Sequence, residues 1–198
     1  RADSLATGIG ATFALANRLA SLAIAVPYVD GTATGLVNGV PDRADREGLG
    51  DLRLRLTLSL LPDSAQSPAD FARATPDRTL GMSLVVNVPT GEYLDDKLVN
   101  LGTNRWAFRP EFGGSRRFGR WNVDGSLGVW LFGDNDEFLG NKERSQEPIT
   151  TLQGHLSYTF APRLWLGASG TWYTGGTTSV DGLSDQNRQR NSRAGLTL

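Results

Sequence analysis

The sequence predicts an all-β protein, an antiparallel up-and-down transmembrane β-barrel with about nine strands in the chain. Three observations carry this expectation. Apolar residues recur at every second position in stretch after stretch, a period that strands use and helices do not. The connections alternate between short and long, as they do in barrels with tight turns at one rim and long loops at the other. The polar face of each stretch is built from Gly, Ser, Thr and Asn with isolated charges. Lysine is nearly absent: Lys97 and Lys142 are the only two among 20 basic residues, and both fall in loop-like sequence.

Two strands are expected at about residues 5–15 and 19–30, joined by the short Ala16-Asn17-Arg18. Residues 31–50 then read as a long loop. The clearest strand is LRLRLTLSL (52–60), with five leucines on one face and Arg53, Arg55, Thr57 and Ser59 on the other. Residues 62–78 follow, a long connection where a short turn is due, with room for a helical turn. Leu80, Met82, Leu84, Val86 and Val88 alternate with Gly81, Ser83 and Asn87. Trp106, Phe108, Pro110 and Phe112 alternate with Arg105, Ala107, Arg109 and Glu111. Trp121, Val123, Leu127, Val129 and Leu131 stand against Asn122, Asp124, Ser126 and Gly128. Leu152, Leu156, Tyr158 and Phe160 stand against Thr151, Gln153, His155 and Ser157. Leu164, Leu166, Ala168 and Trp172 face away from Gly167, Ser169 and Thr171, and a last strand begins near 191. Residues 90–104, 133–147 and 175–190 are the remaining long loops; 116–120 and 161–163 are short turns.

A soluble sandwich also alternates, so the apolar side must be identified. Aromatics decide in favour of lipid. Tyr28, Trp106 and Trp172 fall beside long loops, and Trp121 and Phe160 beside short turns, as girdles at two interfaces require. Trp121 to Leu131 is a strand of about 34 Å. Tilted by about 40°, it spans roughly 26 Å, the height of the apolar band of such barrels. An arginine facing lipid at the midplane costs about 2–4 kcal/mol, so Arg53 and Arg55 point into the lumen and the leucines meet lipid. Outer-membrane lipid is therefore the expected partner.

Composition bounds the function. The net charge of −1 provides no basic footprint for nucleic acid. With no cysteine there is no disulfide scaffold and no thiolate metal site. No apolar run is long enough for a transmembrane helix, and no signal peptide is recognisable. The chain begins at Arg1 and ends at Gly195-Leu196-Thr197-Leu198, within an alternating pattern. The expectation is one barrel domain over 1–198, truncated at both ends, since single-chain bacterial barrels have even strand numbers.

The middle of the chain resembles a known family. The stretches are Val88-Pro89-Thr90-Gly91-Glu92-Tyr93, NLGTNRWAFRPEFGGSRRFGRW (100–121), VWLFGDNDEF (129–138), QEPITTLQGHLSYTF (146–160), LWLGASGTWYTGG (164–176) and VDG (180–182). They are similar to outer-membrane proteins grouped as the "meta-pathway of phenol degradation" family. The resemblance covers residues 85–198 well and the first half loosely. It implies a barrel of about twelve strands, an even number as expected. It also implies a link to aromatic degradation and uptake of small hydrophobic or aromatic solutes. It brings no catalytic residue and no cofactor.

The inward charges Arg53, Arg55, Arg105, Arg109, Glu111 and Asp124, with Gln153 and His155, are the candidate lumen-lining set. They either set the charge selectivity of a pore or neutralise one another across a filled lumen. Trp130, Phe132, Trp165 and Tyr173 also point inward, as an apolar patch for a solute or as filling. His155-Leu156-Ser157 puts an imidazole and a hydroxyl on one strand face, the spacing of a general base and a nucleophile. The pair faces the lumen and lacks an orienting third group, so a polar lumen pair is the better reading. Asp134-Asn135-Asp136-Glu137 has hard oxygen ligands but not the spacing of a calcium loop, and reads as a solvated acidic loop. Thr90-Gly91 reads as turn chemistry. No metal site is predicted. The functional reading is a non-catalytic barrel for passive uptake; the alternatives are a structural or adhesive barrel, or an outer-membrane lipid hydrolase.

Overall fold

In a computed structural model, the described residues are 2–15, 19–37, 40–61, 69 and 77–198. The strands are β1 (Ala2–Leu15), β2 (Ala20–Val37), β3 (Val40–Leu49), β4 (Leu52–Ser59), β5 (Arg78–Val88), β6 (Ala107–Phe118) and β7 (Trp121–Phe132). They continue as β8 (Asn135–Phe138), β9 (Lys142–Gln146), β10 (Ile149–Ala161), β11 (Leu164–Gly175), β12 (Thr178–Val180), β13 (Leu183–Ser184) and β14 (Gln189–Thr197). The main sheet runs in the order β1-β2-β4-β5-β6-β7-β10-β11-β14, and β3 also pairs with β2. The strands of that path follow one another in chain order, with β3 and the four short strands left out of it, and every pairing is antiparallel, the up-and-down meander the alternation predicts. Among the described residues β1 and β14, the two edges, do not pair with each other.

The register shows which face meets lipid. Phe112 pairs with Leu127, Leu127 with Leu152, and Leu152 with Trp172. These four make a row across β6, β7, β10 and β11, and each is between 43% and 53% exposed. A contiguous exposed apolar row of this kind marks an interface, and in a sheet bordered by aromatics that interface is with lipid. Tyr28, Trp106, Trp121, Phe160 and Trp172 are 41–49% exposed. All five share the parity of this outward row. At the short-turn rim Trp121 meets Tyr158 edge-on at 4.8 Å, and Tyr158 meets Phe160 at 4.8 Å. Tryptophan and tyrosine rings collected at one level are what a membrane interface selects.

The expected loop 31–50 is corrected. β2 continues to Val37, and β3 returns along it from Val40, with Val37 opposite Val40 and Tyr28 opposite Leu49. The extension has no apolar period because it lies above the hydrocarbon. On the face that carries Leu22 and Ile24 lower down, Tyr28 Oη donates to Glu47 Oε1 at 2.6 Å and Thr32 Oγ1 donates to Asp45 Oδ1 at 2.6 Å. The outward face thus changes from aliphatic to charged at Tyr28, which marks the edge of the apolar band. Pro27 lies where β3 gives way to β4. Gly50 N donates to Pro27 O at 2.9 Å, and a side chain at Gly50 would meet the Pro27 ring at 3.0 Å.

The loops 133–147 and 175–190 are also not plain loops. They supply β8, β9, β12 and β13, a second sheet ordered β13-β12-β9-β8. Its strands are too short and polar to show a period. Two tight turns hold it: Leu139 and Gly140 have φ of 48° and 98°, and Asp181 and Gly182 have φ of 50° and 77°. Asp-Gly is a strong signal for this turn type. The strand expected from Arg105 begins at Ala107, leaving Arg105 at the mouth of the lumen. The helical turn expected within 62–78 falls largely outside the described residues.

Candidate functional site

The inward face of β6 carries Arg109 and Glu111, two residues apart and therefore side by side. Arg109 Nη2 lies 2.5 Å from Glu111 Oε2. Arg55, on β4, reaches across β5 to Glu111 Oε1 at 2.9 Å and also donates to Ser83 Oγ at 3.2 Å. One carboxylate therefore bridges two guanidiniums from strands that are not neighbours. Thr151 completes the group: it is 1% exposed, accepts from Arg109 Nη2 at 3.3 Å and donates to Gly128 O at 3.1 Å.

Above this network two stacked rings lie between two cations on the inward face. The Arg105 guanidinium lies 4.7 Å from the centre of the Phe132 ring. Phe132 stacks on Trp130 at 6.2 Å, and Arg109 sits 5.7 Å from Trp130. The result is a ladder, Arg105–Phe132–Trp130–Arg109, descending from the mouth into the lumen. Each rung is a cation over an aromatic face or one ring on another. Val85, Ala107 and Ile149 are buried in the same half of the lumen. Arg105 Nη2 also donates to Gln146 Oε1 at 2.5 Å. Burial pushes the Arg105 pKa down, as does the nearby Arg144 guanidinium, while Asp134 works the other way.

Below the network the lumen opens. A cavity of about 570 Å³ is lined by Arg55, Glu111, Asp124, Gln153 and His155, among others. Small polar residues and glycines make much of the rest of the wall, with Leu19, Leu58, Leu80 and Met82 at its edge. Asp124 is opposite His155 in register and accepts from Asn122 Nδ2 at 2.7 Å. Arg53 donates to Asn87 Oδ1 at 3.1 Å, its cross-strand partner.

The four inward aromatics do not form one patch. Trp130 and Phe132 belong to the ladder. Tyr173 lies on β11 beneath Arg193, 5.7 Å away. Trp165 stands apart at the short-turn end; it and His155 both crowd Gly167, where a side chain would meet His155 Cε1 at 2.7 Å and Trp165 Cζ3 at 3.1 Å.

The imidazole does not use Ser157. His155 Nδ1 lies 2.8 Å from Ser169 Oγ, its register partner on β11. In the acidic loop Asp134, Asp136 and Glu137 are exposed, as expected of a solvated loop, and Asn135 alone turns inward. Asn135 is 4% exposed, donates to Tyr93 Oη at 2.8 Å and accepts from Asn104 Nδ2 at 3.0 Å. Its amide oxygen is thus occupied within the protein. Thr90-Gly91 does perform turn chemistry, with a partner the sequence reading missed. Asp51 accepts from Gly91 N at 3.0 Å, Thr103 N at 2.9 Å and Thr103 Oγ1 at 2.6 Å. A side chain on Gly91 would meet Gly102 Cα and the Gly50 carbonyl carbon, each at 2.7 Å. The two quoted motifs, Pro89-Thr90-Gly91 and Asn100-Leu101-Gly102-Thr103, are therefore one backbone junction clipped by Asp51. Ser83, Thr151, Gln146 and Ser169 were also missed as partners. Strand parity marks Ser83, Thr151 and Ser169 as inward, but only register says whom they touch.

A model of the family described as "Putative MetA-pathway of phenol degradation" matches residues 4–198. The chain belongs to this family. The match extends the resemblance from the second half of the chain to almost all of it. No curated protein matches. Among solved structures the chain is similar to the crystal structure of an outer membrane channel from Pseudomonas putida F1. The TM-score is 0.72 at 23% identity, over 96% of this chain and 67% of that one. At that identity the likeness bears on the fold. Together with the outward apolar row and its aromatic borders, it makes this member of the phenol-degradation family an outer-membrane β-barrel, with lipid around its apolar face.

Proposed function

We propose that the barrel passes small hydrophobic or aromatic molecules across the outer membrane by passive permeation, without chemistry on the solute. The observation that carries this reading is the ladder Arg105–Phe132–Trp130–Arg109. It offers π-faces and guanidiniums in a continuous line from the mouth toward the open cavity. An aromatic solute exchanging along such a line keeps a stacking partner at every step. The candidate set contains four arginines, Arg53, Arg55, Arg105 and Arg109, against Glu111 and Asp124. The excess of cations favours anions over cations among charged solutes. Family membership and the channel to which the fold is similar both support the reading.

The test is influx of radiolabelled 2-phenylethanol into liposomes carrying lipopolysaccharide, a barrier that slows apolar solutes. Faster influx with the reconstituted intact protein than without it is expected. Equal rates would overturn the proposal.

The Glu111 network favours a second reading, a barrel whose lumen is closed by mutual neutralisation and whose role is structural. It predicts no influx and a large loss of stability on removing Glu111.

A further inference from the structure

At the mouth, outside the ladder, a smaller cavity of about 180 Å³ is lined by Tyr93, Asn100, Arg105, Asn135, Phe138 and Arg144, among others. Two of its walls are cations without a full set of partners. Arg105 Nη1 and Arg144 Nε are both buried and neither has a hydrogen-bond partner. Among the described residues no carboxylate forms an ion pair with either guanidinium; Asp134 is the opposite charge that acts on Arg105, more weakly than burial and Arg144 act against it. Arg144 instead lies over the Phe138 ring, 4.9 Å from its centre.

Neighbouring amides do not serve these donors. Asn100 Oδ1 accepts from Leu94 N, and its Nδ2 donates to the Leu94 and Lys97 carbonyls. Asn135 Oδ1 accepts from Asn104 and from Glu137 N. A buried guanidinium N–H with no acceptor is unfavourable, and two such cations in one cavity add repulsion. An anion entering the cavity relieves both. A carboxylate fits best, since its two oxygens match guanidinium forks. The rings of Phe138 and Tyr93 and the Leu98 side chain supply its apolar wall, beside Asn100, Gly102, Thr103 and Asn135, and a cavity of about 150 Å³ is enough to hold a benzene ring.

We propose that Arg105 and Arg144 form a capture site at the mouth for a small aromatic carboxylate, its carboxylate between the two guanidiniums and its ring against Phe138. This deepens the uptake reading and rests on it for the site's purpose. Arg105 belongs to both the capture site and the top of the ladder, so a captured solute is already beside Phe132.

The experiment is calorimetric titration of the intact protein in detergent with benzoate, with benzyl alcohol, acetate and phosphate as comparisons. Saturable benzoate binding, with benzyl alcohol and acetate each weaker by roughly tenfold or more, is expected if charge and ring both contribute. Arg144→Gln should weaken benzoate by a similar factor. Phe138→Leu, which keeps the guanidiniums, should weaken benzoate but not acetate. Absence of benzoate binding overturns the site, as does benzoate binding no tighter than benzyl alcohol or phosphate. So does benzoate binding unchanged in Arg144→Gln protein that retains the wild-type fluorescence spectrum. Failure of the uptake reading shows elsewhere, as unchanged influx of a neutral aromatic solute, so the two can fail separately.

Discussion

Arg109 and Glu111 stand two residues apart on one strand and meet across 2.5 Å on its inward face. Their side chains are 20% and 13% exposed, so water screens the pair only partly. Because Arg55 uses the other oxygen of the same carboxylate, Glu111 is the single anion that two cations share. Glu111→Gln therefore leaves two lumen guanidiniums without their counter-charge. A loss of about 1–3 kcal/mol is expected in urea unfolding, the scale of an unsatisfied buried polar group. In a salt gradient, the reversal potential of the variant should move toward stronger anion preference. Unchanged selectivity with lost stability would favour the structural reading.

Asp51 holds the 90–104 loop by three hydrogen bonds. Asp51→Ala should release it. Hydrogen bonds to a charged group contribute about 1.5–3 kcal/mol each, with losses that do not add fully. The direct readout is trypsin cleavage after Lys97, the lysine of this loop, which should be faster in the variant than in the wild type. Equal cleavage rates would show that the loop is held by other means.

Glycine positions give a contrasting pair. A methyl at Gly91 meets backbone atoms of Gly102 and Gly50 at 2.7 Å, and backbone does not yield as a side-chain tip does. Gly91→Ala should destabilise by about 1–3 kcal/mol, as overpacking does. Gly154 faces outward, where a methyl would meet only Asp124 O at 4.0 Å. Gly154→Ala should stay within about 0.5 kcal/mol of wild type. Thermal unfolding of the two variants under one set of conditions checks the difference.

Ser157 and Ser169 separate a nucleophile pair from a cross-strand hydrogen bond. Since His155 Nδ1 meets Ser169, Ser169→Ala should cost about 1 kcal/mol and Ser157→Ala close to nothing. The reverse order in urea midpoints would contradict the observed pairing.

The strand order and the outward face were legible in the sequence because lipid imposes a strict period of two. A leucine at 54 or 56 and an arginine at 53 or 55 cannot exchange faces without cost. The period lapses above the interface, where water solvates either face, and there the reading failed. Residues 40–49 looked like a loop because charges replaced leucines, although they pair with β2 from Val40 opposite Val37 onward. The second sheet was missed for the same reason. Inward direction could be read for each candidate residue, but partnership could not. Arg55 reaches Glu111 over an intervening strand, and only the register aligns them. Asp51 carried no periodic signal at all, being a single acid between strands.

The central claim is that the lumen is a passage for small aromatic molecules. Single-channel current through the intact mature protein in a planar bilayer tests it most directly. The account predicts discrete conductance steps, with brief interruptions as a small aromatic solute is added and fewer interruptions in Trp130→Ala protein. Silence from protein shown to be correctly inserted would contradict it.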